Sequence, residues 1–105
     1  MRLQLTRVTP IADGVKEFEF RDPDGNRLPS FEPGAHLRLR MGPSLSRRYS
    51  LTSDPADRIS YRIAVLHHEG GRGSTFLNEH LKAGDGIEAE DPINGFPMAD
   101  AAILF

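Results

Sequence analysis

The stretch RRYSLTSDP, Arg47 to Pro55, opens on side chains that could hold a flat, negatively charged ligand. Arg47 presents a fixed fork of N–H donors that matches a phosphate. Tyr49 offers a flat amphipathic ring that can stack on a heteroaromatic system. Ser50 adds a small hydroxyl and a nearby backbone N–H for a ring nitrogen. Together they suit a mononucleotide-like ligand. Taken alone, the stretch reads first as an exposed strand with its tyrosine in the core and its arginines in water.

A second stretch changes that balance. In GGRGST, Gly70 to Thr75, the glycines allow the backbone to approach a ligand closely. The segment runs into a helix start, where the N–H groups of Gly73, Ser74 and Thr75 and the helix dipole favour an anion. Arg72 adds a positive charge. No Gly-Lys-Ser/Thr follows, so this is not a Walker A loop. Phe76 stands where a dinucleotide fingerprint would place its last glycine. Two phosphate-type features in a chain of net charge −2 argue for a local anion site.

Other polar residues are less informative. His67, His68 and Glu69 are adjacent, but neighbours on a strand face opposite ways, and no second cluster has ligand spacing. His36 and His80 are distant in sequence. No bound metal is expected. Asp54, Asp57, Asp85, Asp91 and Asp100 stand beside Pro, Gly, Ala or Arg and read as turn formers. No nucleophile–base pair can be argued, so a cofactor would carry any chemistry and the protein would orient it.

Strands must position these groups. RLQLTRV, VKEFEF and AHLRLR alternate apolar and polar residues, as do RISYRIAVL and the short GIEAE. RRYSLTS follows a Gly-Pro break and makes a sixth strand. In AHLRLR the alternation turns Leu37 and Leu39 inward and His36, Arg38 and Arg40 outward. Asp24-Gly25 marks a tight turn. One short helix is expected over about residues 74–82, capped by Ser74 or Thr75, with Phe76, Leu77 and Leu81 as its apolar stripe and Gly84 as its terminator. The expected fold is all-β: a six-stranded antiparallel Greek-key barrel with one short helix. The run AAILF, after Asp100, reads as the first strand of a further domain. The expected division is a barrel over 1–98 and a linker with that strand over 99–105.

Composition narrows the classes. The 105 residues are 38 % hydrophobic and 27 % charged, which suits one globular domain. The absence of cysteine removes disulfides, thiolate metal sites and thiol nucleophiles from this chain. A net charge of −2 and 8 % aromatic residues argue against nucleic-acid binding of the oligonucleotide-binding barrel type. No apolar run spans a bilayer and no signal peptide is recognisable, so the expected location is the cytoplasm without membrane association.

FEPGAHLRL, RRYSLTSDP, YRIAVLHHEGGRGSTFLNEHLKAGD and PINGFPM together resemble the flavin-binding domain of the ferredoxin reductase superfamily. The phthalate dioxygenase and vanillate demethylase reductases are the nearest group. The resemblance implies electron transfer from NAD(P)H through flavin to a 2Fe-2S centre, and on to an aromatic-ring or demethylating terminal oxygenase. The nicotinamide and ferredoxin-like domains would lie outside this chain. It implies that Arg47 binds the flavin phosphate, that Tyr49 packs along the isoalloxazine and ribityl chain, and that Ser50 lies near flavin N5, where hydride arrives. Ile63, Ala64 and Val65 would line the pyrimidine edge through their backbone. Arg72, Gly73 and Ser74 would form the phosphate loop. That group usually carries Gly-Arg-Gly-Gly-Ser, whereas here Arg72 stands one place closer to Ser74. The dense positive charge favours FMN, with FAD as the alternative. A non-redox nucleotide-binding or structural β-barrel is the competing class.

Overall fold

The computed structural model describes residues 1–67 and 70–94. Its elements are β1 (Arg2–Ala12), β2 (Val15–Arg21), β3 (His36–Gly42), β4 (Leu45–Ser50), β5 (Ser60–Leu66), α1 (Arg72–Thr75) and β6 (Gly86–Ala89). A π-helical turn, Phe76–His80, continues α1. All strand pairs are antiparallel, in the order β4-β3-β6-β1-β2-β5.

The alternation read in the sequence buries one side of each central strand. Leu5 pairs with Phe20, Phe18 with Ile63, and Phe20 with Tyr61. These side chains fill the core together with Leu3, Leu37, Leu39 and Leu77. Asp13 and Gly14 turn β1 into β2, with Gly14 at a φ of 70°. The β2–β3 loop is tied down rather than loose. The Asp22 carboxylate accepts the N–H groups of Asp24 (2.8 Å) and Asn26 (3.1 Å), the Tyr61 hydroxyl donates to the Pro29 carbonyl, and Phe31 meets the Tyr61 ring edge-on at 5.6 Å. Asp54, Asp57 and Asp85 act as turn formers: each carboxylate accepts a backbone N–H within three residues.

The two edge strands meet at one place. Leu51, just after β4, bridges Ile63 of β5, and the Thr52 N–H donates to the Arg62 carbonyl at 2.8 Å. The sheet thus curls into a barrel joined at this bridge and open beside it. The start of α1 sits in that opening, with Gly73 against β4.

Several boundaries differ from the sequence reading. The helix starts at Arg72, not at residue 74, and its cap is Gly71 rather than Ser74 or Thr75. Gly71 has extended backbone angles, and its carbonyl already accepts the Thr75 N–H at 3.0 Å. Leu81 is extended, so the helix ends at His80; Gly84, at a φ of 100°, serves the turn before β6 instead. Two polar-face residues are buried. Glu19 (5 % exposed) lies under Arg7 at 2.8 Å and Arg21 at 3.1 Å. His36 (8 % exposed) is flanked by Ile93, whose backbone exchanges hydrogen bonds with it at 3.0 and 3.1 Å. His68, Glu69, Phe96 and the expected strand in 99–105 lie outside the described residues.

Candidate functional site

Arg47 and Tyr49 owe their position to register. Arg47 pairs with Leu39 and Tyr49 with Leu37, both fully buried. Directly paired residues share a sheet face, so both site residues stand on the inward face. Because β4 is an edge strand at the barrel opening, that face looks into a cleft of about 400 Å³ rather than into the core. The other walls are Leu66 at the end of β5 and the loop Gly70 to Ser74.

Gly73 closes the cleft against β4. A Cβ placed on it would lie 2.8 Å from Arg47 Cγ and 2.9 Å from the Tyr49 hydroxyl oxygen. Only a glycine lets the loop backbone come this near. The Arg47 guanidinium is exposed and donates to the Ser46 carbonyl at 2.8 Å. Tyr49 is half-buried; burial pushes its hydroxyl pKa up, partly offset by the Arg47 charge, so it stays a neutral donor. The cleft therefore offers a cation, a neutral hydroxyl and the first turn of a helix on one wall.

The loop residues divide into distinct roles. The Gly73 N–H stands in the first turn of α1, where backbone N–H groups lack a partner within the helix. The Thr75 N–H, expected as an anion donor, is committed to the Gly71 carbonyl. Ser74 is buried, with its hydroxyl turned back to the Gly71 carbonyl at 3.4 Å. Arg72 is exposed at the cleft rim.

On β5, Ile63 and Val65 point into the core while Ala64 is exposed. Backbone polarity alternates along a strand. Arg62 already turns its carbonyl to the β4 side, where it accepts the Thr52 N–H, so Ala64 turns its own N–H and C=O the same way. Ala64 is thus the residue of this trio whose backbone turns toward β4, next to the Leu51–Ile63 bridge.

Ser50 and Arg48 occupy the opposite face of β4, paired with His36 and Arg38. Ser50 is exposed, one residue from the Leu51 bridge. The sequence reading placed His36 among solvent-facing groups and so missed its place behind Ser50. Among the described residues, no three His, Cys, Asp or Glu side chains come together as a metal site.

The chemistry of this donor set fits a flavin phosphate: a fork of N–H groups on β4 and a helix turn, with a glycine where a larger residue would force the two apart.

Residues 2–97 match the family model described as the oxidoreductase FAD-binding domain. The phthalate 4,5-dioxygenase oxygenase reductase subunit of Pseudomonas putida is 39 % identical over 104 residues, which are 98 % of this chain and 32 % of that protein. Phthalate dioxygenase reductase of Burkholderia cepacia is 36 % identical over 107 residues, 100 % of this chain and 33 % of that one. The crystal structure of phthalate dioxygenase reductase, described as modular for electron transfer from pyridine nucleotides to [2Fe-2S], superposes with a TM-score of 0.85 at 37 % identity, over 93 % of this chain and 31 % of that one. The chain spans about a third of the length of these curated relatives. Barrel, cleft and family match agree: the chain belongs to the oxidoreductase FAD-binding domain family and is a flavin-binding domain of the ferredoxin reductase type.

Proposed function

We propose that this domain is the flavin module of a reductase that takes electrons from NAD(P)H and passes them singly to a 2Fe-2S centre and on to a terminal oxygenase. The observation that carries this reading is the contact of Gly73 with Arg47 and Tyr49, which joins the helix start to β4 as an anion cradle beside an open sheet edge. Bound there, a flavin would supply the change from two-electron to one-electron chemistry. Arg47 and the Gly73 N–H bind the phosphate, with Arg72 adding charge from the rim. Tyr49 packs along the isoalloxazine and ribityl chain. The backbone at Ala64, between Ile63 and Val65, meets the pyrimidine edge. Ser50 lies near N5, the atom that receives hydride.

The relatives' names support the partners. The Escherichia coli relative, 36 % identical over 104 residues, is a carnitine monooxygenase reductase subunit. The nicotinamide and iron–sulfur domains belong to chain beyond this one. Within the described residues no helix is long and apolar enough to cross a membrane, and we place the domain in the cytoplasm.

FMN is the preferred flavin. A terminal phosphate carries about two negative charges, and Arg47, Arg72 and the helix start concentrate positive potential at one end of the cleft. The test is flavin titration of the apo-protein. Micromolar or tighter binding that Arg47→Ala weakens supports the reading; no binding of FMN or FAD by the wild type overturns it.

A further inference from the structure

The helix beside the cleft changes its bonding part-way along. It is α-helical over Arg72–Thr75 and π-helical over Phe76–His80. A π turn bonds five residues on instead of four; such turns are rare and concentrate at functional sites. Asn78 stands inside it. Its side-chain Nδ2 donates to the Ser74 carbonyl at 2.8 Å. In a regular α-helix that carbonyl takes the backbone N–H four residues on, which belongs to the same Asn78. A side chain that enters the ladder in this way distorts the helix locally. Asparagine is a poor helix-interior residue for the same reason, since its amide competes with the backbone for partners.

The place of this bond matters more than its strength. The Ser74 carbonyl and the Thr75 N–H belong to one peptide unit. The Thr75 N–H donates to the Gly71 carbonyl at 3.0 Å, so the unit is held at both ends, by Gly71 and by Asn78. Ser74 is buried, and the residue before it is Gly73, which approaches Arg47 and Tyr49 so closely that a Cβ on it would clash with both. A backbone seated that tightly on β4 needs its orientation fixed from behind. Leu77, fully buried, anchors the turn in the core, but apolar burial has no direction. The Asn78 bond supplies one.

Asn78 itself is half-buried and does not line the cleft. It borders a separate groove with Pro10, Val15 and Lys16. Any effect it has on a ligand in the cleft must therefore pass through the peptide it holds.

We propose that Asn78 is a positioning residue for the flavin phosphate: its amide fixes the Ser74–Thr75 peptide and so keeps the Gly73 backbone seated beside Arg47, where the phosphate binds. This rests on the flavin reading given above. The consequence is selective. Asn78 matters for the phosphate end of the ligand and not for the ring end, which Tyr49 and the Ala64 backbone hold.

The experiment titrates the apo-protein with FMN and with riboflavin, which lacks the phosphate, beside thermal unfolding. The wild type should bind FMN more tightly than riboflavin. Asn78→Leu matches the side chain in shape, carries no charge and favours a helix, but has no donor. It should weaken FMN binding by roughly five- to tenfold, the worth of one neutral hydrogen bond, and leave riboflavin binding unchanged. Asn78→Ala, a second variant that also lacks the donor, should show the same selective loss. A merely structural role would weaken both ligands together. Equal losses for FMN and riboflavin, or no loss for FMN, overturn the proposal and leave the flavin reading standing. Riboflavin bound by the wild type as tightly as FMN removes the phosphate site that Asn78 would position, and the proposal falls. If the wild type binds neither, the flavin reading falls with it.

Discussion

Gly73 stands so close to Tyr49 that a methyl group on it would lie 2.9 Å from the tyrosine oxygen. The contact joins a loop and a strand more than twenty residues apart in sequence, and it sets the width of this end of the cleft. Gly73→Ala should therefore push the loop off β4. Ordinary overpacking costs about 1–3 kcal/mol of stability. Flavin affinity should fall at least about tenfold, or ~1.4 kcal/mol, because the loop backbone and the Arg47 side chain would be forced apart. Isothermal titration beside thermal unfolding separates the two effects. Unchanged affinity would show that Gly73 is only a packing residue.

The two arginines of the cleft should differ. Arg47 lies on the strand that Gly73 touches, whereas Arg72 sits exposed at the rim. Arg47→Ala should weaken flavin binding by about 1.5–3 kcal/mol, the scale of a hydrogen bond to a charged group. Arg72→Ala should cost less. Both should fold normally, since among the described residues the Arg47 head group bonds its neighbour's carbonyl at Ser46 and Arg72 is exposed. A larger loss at Arg72 would reassign the main phosphate ligand.

Acid stability should depend on Glu19. Burial alone would raise its pKa, but the hydrogen bonds and charges of Arg21 and Arg7 outweigh that and hold it below its usual value of 4.5. Because the folded value is the lower one, its stabilisation is complete above the unfolded pKa. It is lost as pH falls from about there through the folded value. Glu19→Gln should cost about 1–2 kcal/mol at pH 7, as Arg7 and Arg21 are themselves largely exposed. It should also flatten the fall in melting temperature below pH 5. Parallel acid limbs in wild type and variant would contradict the assignment.

The strands were legible because each has one wet and one dry side, so a period of two survives in VKEFEF and AHLRLR. What escaped the reading came from non-local contacts. Glu19 and His36 occupy polar-face positions, yet arginines from its own and a neighbouring strand cover the first and Ile93 borders the second. The insertion of β6 between β1 and β3 leaves no local mark. The helix start was misplaced because Gly71 caps through its carbonyl, whereas sequence reading looks for a side-chain oxygen. At the site, the residue types in RRYS and GGRGST were readable. Their convergence needed the sheet to curl until Leu51 bridges Ile63, which joins the barrel there and leaves it open beside β4.

Reduction should depend on the source of electrons. Hydride transfer needs donor and flavin in near-attack geometry, and in our reading the nicotinamide domain that provides it lies outside this chain. The flavin-loaded domain should be bleached by dithionite but not rapidly by NADH or NADPH. Saturable, fast NADH oxidation by the domain alone would mean that the cleft also holds the nicotinamide.

The choice between FMN and FAD turns on how the cleft ends. A site for FAD must pass a pyrophosphate through and give the adenine a surface to stack on. A site for FMN can close round one phosphate of about two negative charges. Here Arg47, Arg72 and the first turn of α1 crowd a single end, and Gly73 brings the loop onto β4 where a longer ligand would need a gap. Phe76, the aromatic nearest the loop in sequence, is partly packed against the core and lies 5.9 Å from the His80 ring, so it is not a free stacking platform. The apo-protein should therefore bind FMN at least as tightly as FAD at moderate salt. Raising the salt should weaken FMN binding, since exposed charges hold the phosphate. FAD binding tenfold tighter than FMN, about 1.4 kcal/mol, would show that the adenylate half is recognised and that the cleft does not close where Gly73 meets Tyr49.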